Sequence, residues 1–496
     1  MKPKLLLFAL AVVATVSACS LAPTYRTPAT APPAASYKEA AGWQPAQPAD
    51  AQPRGPWWSV FHDSKLDELE AQVTTSNQNL KAAFARLEQA RAQMRYARAS
   101  YLPTITGSAD ASRTRTSVNA PQFSAVKPAT QNNLLLESDL SYEIDVFGRV
   151  RNTVAAARAS AQASAADLAV VDLSMHSELA LDYFTLRSED AQQSLLDRTV
   201  TDYTRALELT QNLYKGGAVP LADVAQAQAQ LETARTQAED VRLRRAQTEH
   251  AIAVLVDQQA SRFHLDPQPL LADVTPPPVD TGLPSQLLER RPDVAGAERR
   301  VASANASIGV VRAAYFPVFS LGAAVGFEST HGFSLIEAPS ALWALGSSAV
   351  VTIFDGGRRH AQTDQVRAAY DEQVANYRTT VVTAYSEVED WLAALRQLER
   401  ESASESAAVE ATTTELEQAN YRYKAGAATY LEVVIAENAS LAAQLSATDI
   451  QVRRMTASVL LVKALGGGWE DPKETLTPAG RVAAGDVRRG GGAAPE

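Results

Sequence analysis

The chain has 496 residues, 21% of them charged, a formal net charge of −10 and only 7% aromatics. That balance argues against a nucleic-acid surface, because affinity for phosphates is carried by clustered Lys and Arg. A composition rich in Ala, Gln, Glu and Arg favours long helices over one bulky core.

Lys2 and Lys4 precede an apolar run that is too short to span a membrane and ends in small residues, so residues 1–18 read as a secretory signal. Its end, Val16 to Cys19, resembles the lipobox of bacterial lipoproteins, whose cysteine becomes the lipidated first residue. Cys19 is also the only cysteine, which excludes disulfides and thiolate metal sites. Ser20 follows it, and a residue other than Asp there favours sorting to the outer membrane. Residues 19–62 form a Pro- and Ala-rich stretch, expected to run extended along a surface. A long amphipathic helix is expected next, through Ser100, with Asp63 or Ser64 as N-cap.

The following segments alternate. Leu134, Leu136, Leu140, Tyr142, Ile144 and Val146 fall on one side of a strand, and Glu137, Asp139, Ser141, Glu143 and Asp145 on the other. The stretch after Pro103 alternates more weakly, with Thr104, Thr106, Ser108 and Asp110 polar. After Pro317, Phe319, Leu321, Ala323, Val325 and Phe327 share a side, and Trp343, Leu345, Val351 and Ile353 share another. Each stretch is about ten residues, the length of a strand crossing a bilayer.

No Gly or Pro occurs from Arg149 to Lys215, nor from Arg358 to Ala425. About 67 residues of helix make a rod of roughly 100 Å. Within the first, Leu168, Val171, Met175, Leu179, Tyr183 and Leu186 recur at spacings of three and four, a coiled-coil-like seam.

The chain is also a repeat. Arg98–Ala109 parallels Arg312–Ala324, Ile144–Ser160 parallels Ile353–Ala369, and Leu213–Leu231 parallels Arg422–Leu441, at offsets of about 214, 209 and 209 residues. Each half reads helix, two strands, very long helix, Gly turn, helix. The organisation expected is signal 1–18, anchored segment 19–62, first repeat 63–265, linker 266–285, second repeat 286–465 and tail 466–496. Four strands cannot close a barrel, and an open edge in lipid leaves backbone groups unpaired, so the chain must self-associate. Three copies or more leave an open lumen.

The lipobox, the run Trp57–Leu69, Leu287–Glu298, the two Tyr-x-Pro strand entries at Pro103 and Pro317, and the two Gly corners together resemble the outer membrane factor family of TolC and OprM, in its NodT-type lipoprotein branch. The resemblance covers nearly all of the mature chain. It implies a mainly α fold with a small β part: a homotrimer whose twelve-stranded outer-membrane barrel is continued by a long periplasmic α-helical barrel. It implies an efflux channel exporting drugs or other small molecules, with a periplasmic adaptor and an inner-membrane pump of the RND type as partners, outer-membrane lipid around the barrel, and no cofactor.

The two corners then lie at the periplasmic end. Gly217 and Gly426 permit the reversal between helices. The resemblance places adaptor docking on Gly217, Ala218, Val219, Gly426, Ala427 and Ala428. Asp223 and Glu432 lie just beyond, and three copies of Glu432 about an axis would form an acidic ring that attracts cations. Where the family carries a second acid this chain has Ile435, so the constriction is expected to be part electrostatic and part apolar. The plainer alternative is that these are solvated acids beside a turn.

Catalysis finds no support. The six histidines (His62, His176, His250, His264, His331, His360) are scattered, and no metalloprotease, P-loop or hydrolase-elbow motif occurs. Two alternatives remain: an exit duct for type I protein secretion, and a coiled-coil periplasmic lipoprotein without a pore.

Overall fold

A computed structural model describes residues 20–30, 32, 34, 36–40, 56–117, 119, 130–270, 276, 277 and 291–467; Cys19 and the leader lie outside them. Helix α1 (Ser64–Ser76) begins where the Asp63 carboxylate accepts the amides of Lys65 and Leu66 at 2.9 and 3.1 Å. The long helix expected here is instead two. At Asn77 the backbone turns away, and the side chain caps α2 (Gln78–Ala99) by accepting the amides of Asn79 and Leu80. Its amide nitrogen donates to Leu255 O at 2.8 Å. A short polar side chain with partners on both sides competes successfully with the helix ladder.

The other breaks fall where Pro and Gly stand. Pro103 and Pro317 directly precede strands β1 (Thr104–Arg115) and β3 (Val318–Ser329). β2 (Thr130–Ile144) leads through Gly148, in the left-handed region, into α3 (Arg149–Lys215) and then α4 (Leu221–Leu255). α5 (Pro292–Ala313) precedes β3, and β4 (Ala341–Val350) leads into α6 (Arg358–Lys424) and α7 (Tyr430–Ala464). Both long helices have 67 residues, about 100 Å. β4 stops at Val350, so Val351 and Ile353 lie beyond the strand, and Val146 lies beyond β2.

The four strands form one antiparallel sheet in chain order. Its register aligns Ile105 with Leu140, Leu140 with Ala323, and Ala323 with Leu345, so these side chains share a face. On that face Trp343 is 81% exposed and Leu345 77%. The opposite face carries Asp110, Glu137, Asp139, Glu143 and Glu328. Among the described residues no helix is long and apolar enough to cross a membrane.

The two main cores lie halfway along the long helices. One gathers Leu66, Leu69, Leu179, Tyr183, Leu186, Ile252 and Val459; the other gathers Val294, Val301, Val381, Val388, Leu392 and Leu461. From this waist the helices run to one end and the sheet lies at the other. In the first core the fully buried Glu70 meets His176 Nδ1 at 2.5 Å, while the Trp58 ring stacks on the imidazole at 4.4 Å.

The N-terminal segment is strapped across the start of α3 and the helices α5 and α6 of the second repeat. Ser20 Oγ donates to Asn152 Oδ1 at 3.1 Å, and Asn305 Nδ2 donates to Pro23 O at 2.9 Å. Tyr25 OH donates to the Glu298 carboxylate, and the amides of Lys38 and Glu39 donate to Glu389. Tyr37 enters the second core.

Candidate functional site

The two corners are built alike. At the end of α3, Gly217 N donates to Tyr214 O and Ala218 N to Leu213 O, both at 2.9 Å; at the end of α6, Gly426 N donates to Tyr423 O at 3.0 Å and Ala427 N to Arg422 O at 2.8 Å. These are paired Schellman bonds, which require the left-handed region at the residue after the cap. Gly217 and Gly426 occupy it, with φ of 74° and 72°. Gly217, Ala218, Gly426 and Ala427 are exposed, and Val219 and Ala428 are half-buried.

The exits differ. Pro220 precedes α4 without a side-chain cap, and Asp223 follows in its first turn. α7 instead opens with a capping box, in which the Glu432 carboxylate accepts the Thr429 amide at 3.2 Å. Arg422, on α6, reaches the same carboxylate at 3.3 Å. Within one chain Glu432 is therefore a half-exposed acid already paired with a cation, in a contact worth about 0–1 kcal/mol. Ile435, one turn on, is 58% exposed, and Leu221 and Leu431 are exposed beside the corners.

Behind the tips a small core of Ala227, Ala419, Val433, Val434 and Ala436 surrounds Tyr430, whose ring lies 5.5 Å from that of Tyr423. Glu437, one turn further along α7, escaped the sequence reading. It occupies a seam position in register with Tyr430, Val433 and Ser440, and that spacing is the signal that could have found it. Its Oε2 is shielded from solvent and bonded to nothing, as is the hydroxyl of Tyr203. Burial, followed by the charge of Asp202, pushes the carboxyl up from 4.5 to about 7. These groups form the floor of a cleft of about 840 Å³ between α3, α6 and α7.

The outer membrane efflux protein family matches residues 70–256 and 283–467. The chain is 31% identical to the outer membrane protein OprJ of Pseudomonas aeruginosa, over 97% of this chain and 99% of that protein. It is 32% identical to the toluene efflux pump outer membrane protein TtgC of Pseudomonas putida, over 93% and 96%. Among solved structures it superposes on the outer-membrane channel OprN with a TM-score of 0.84 at 28% identity, covering 92% of this chain and 100% of that one. The Campylobacter jejuni CmeC outer membrane channel gives 0.84 at 26%, covering 92% and 96%. The sheet with two open edges is thus one third of a trimeric twelve-stranded barrel, and the paired 67-residue helices continue it into the periplasm. From these matches, the sorted strand faces and the twin corners, the chain belongs to the outer membrane efflux protein family and is the outer-membrane channel of an efflux pump.

Proposed function

We propose that this channel is lipid-anchored through Cys19, docks a periplasmic adaptor on its six tips, and receives small molecules from an inner-membrane pump of the RND type. The observation that carries the reading is the identical Schellman geometry of the two corners, which gives a trimer six near-equivalent exposed turns at one end. An adaptor built as a ring of six hairpins meets such a surface with one contact per tip. Gly217, Ala218, Val219 and Gly426, Ala427, Ala428 are the docking residues in this reading.

The strap supports the anchor. Ser20, next to Cys19, is bonded to Asn152 in the first turn of α3, just below the sheet, so an acyl chain on Cys19 would start beside the membrane. The two repeats, 63–265 and 286–465, joined by 266–285, act as two hairpins closing on the axis. Glu432 and Ile435 narrow the channel there, with Asp223 contributing less; Arg422 holds Glu432 until the tips part.

Single-channel recording of the trimer in a planar bilayer tests the constriction. Glu432→Ala should raise conductance or weaken cation preference, and Asp223→Ala should do less. Ile435→Ala should widen the pore without changing ion selectivity. Wild-type conductance, selectivity and antibiotic susceptibility in Glu432→Ala would put the constriction elsewhere.

A further inference from the structure

The strand register sorts charge by sign. On the inward face every charged residue of the described strands is an acid: Asp110, Glu137, Asp139, Glu143 and Glu328. On the outward face the only charged residues of the described strands are Arg113 and Arg115. They are neighbours on that face, roughly 7 Å apart along β1. Arg113 stands opposite Asn132 and Arg115 opposite Thr130, so the residues beside them are polar as well.

Their height is as telling as their sign. The outward positions of β2 run Ile144, Tyr142, Leu140, Ser138, Leu136, Leu134, and those of β1 run Ile105, Gly107, Ala109, Ala111 before reaching the arginines. The pair therefore sits just past the last apolar residue, at the rim remote from the helices, where the lipid band of the outer leaflet gives way to headgroups. Both arginines are exposed, and neither has an acidic partner among the described residues, because the acids of the sheet point into the lumen. A guanidinium at such a height gains from anionic headgroups and matches a phosphate with two parallel hydrogen bonds.

We propose that Arg113 and Arg115, with Asn132 and Thr130 beside them, form a binding site on the outer rim of the barrel for the phosphate groups of the outer leaflet's glycolipid, one site per protomer. Phosphate chemistry alone would also fit a free anion. The lipid is the source because the site faces away from the lumen, where the acids would repel an anion in transit.

Native mass spectrometry of the detergent-solubilised full-length trimer tests this, with bisphosphorylated lipid A, its phosphate-free counterpart and inorganic phosphate as probes. The wild-type trimer should retain phosphorylated lipid A and release the phosphate-free form, a comparison that needs no variant. Arg113→Gln with Arg115→Gln should weaken retention about 30-fold, the effect of two arginines near an anionic surface, and the double Lys variant should retain more than the double Gln variant. Equal retention of the two lipids by the wild type would overturn the proposal, as would equal retention by wild type and double Gln variant. Displacement of the lipid by millimolar inorganic phosphate would replace it with a free-anion site.

Discussion

Replacing Glu437 with Gln should strengthen the packing of α7 on α3 at high pH and leave it unchanged at low pH. The carboxyl faces Asp202 and Tyr203 on α3 and Tyr430 on its own helix; Arg198, Arg205 and Lys424 line the same cleft, but none of them forms an ion pair with it, and Oε2 has no partner. Burial raises its pKa from 4.5 to about 7. Between those values the packed state holds a proton that the opened state has released, so packing weakens as pH rises through this window and levels off above it. At about 1.4 kcal/mol per pH unit the whole span amounts to about 3–4 kcal/mol, or roughly 300-fold in the local opening equilibrium. An amide cannot ionise, so Glu437→Gln avoids this loss while keeping the shape. Hydrogen exchange of the α7 amides from Val433 to Leu441, read by mass spectrometry at pH 4.5 and pH 8, measures the difference. Protection should match at the lower pH and exceed the wild type at the higher. Equal exchange of the two proteins at pH 8 would refute the reasoning, because the buried acid would then be ionised at no cost.

Two further outcomes are expected. His176→Ala removes the partner 2.5 Å from the fully buried Glu70 and the surface on which Trp58 stacks, so it should cost about 3–5 kcal/mol in urea unfolding, against much less for the double variant Glu70→Leu with His176→Leu; a cost under about 1 kcal/mol would show that the pair contributes little. A Cβ on Gly309 would meet Asn152 Nδ2 at 2.5 Å and Ala22 Cβ at 2.7 Å, so Gly309→Val should lift the strap and expose residues 20–25 to limited proteolysis while the helices persist, and an unchanged digestion pattern would contradict this.

The sequence by itself determined the features that local chemistry controls. Gly148 and Gly216 bound α3, and Gly357 and Gly426 bracket α6, because interior helix turns penalise Gly and exclude Pro. Alternation placed Leu140 and Asp139 on opposite faces because the pleat has a period of two. The Tyr-Lys-x-Gly corners were visible because only Gly adopts the left-handed region without cost. Much of the rest was invisible, since it depends on residues far apart in the chain. Asn77 interrupts a helix that its neighbours would continue because its side chain reaches Leu255 O. Glu432 reads as a free acid until α6 brings Arg422 to 3.3 Å, and Glu437 reads as a solvated one until α3 and α6 cover it. The rim position of Arg113 and Arg115 likewise emerged only with the register, because periodicity gives a residue its face and strand pairing alone gives it its height in the membrane.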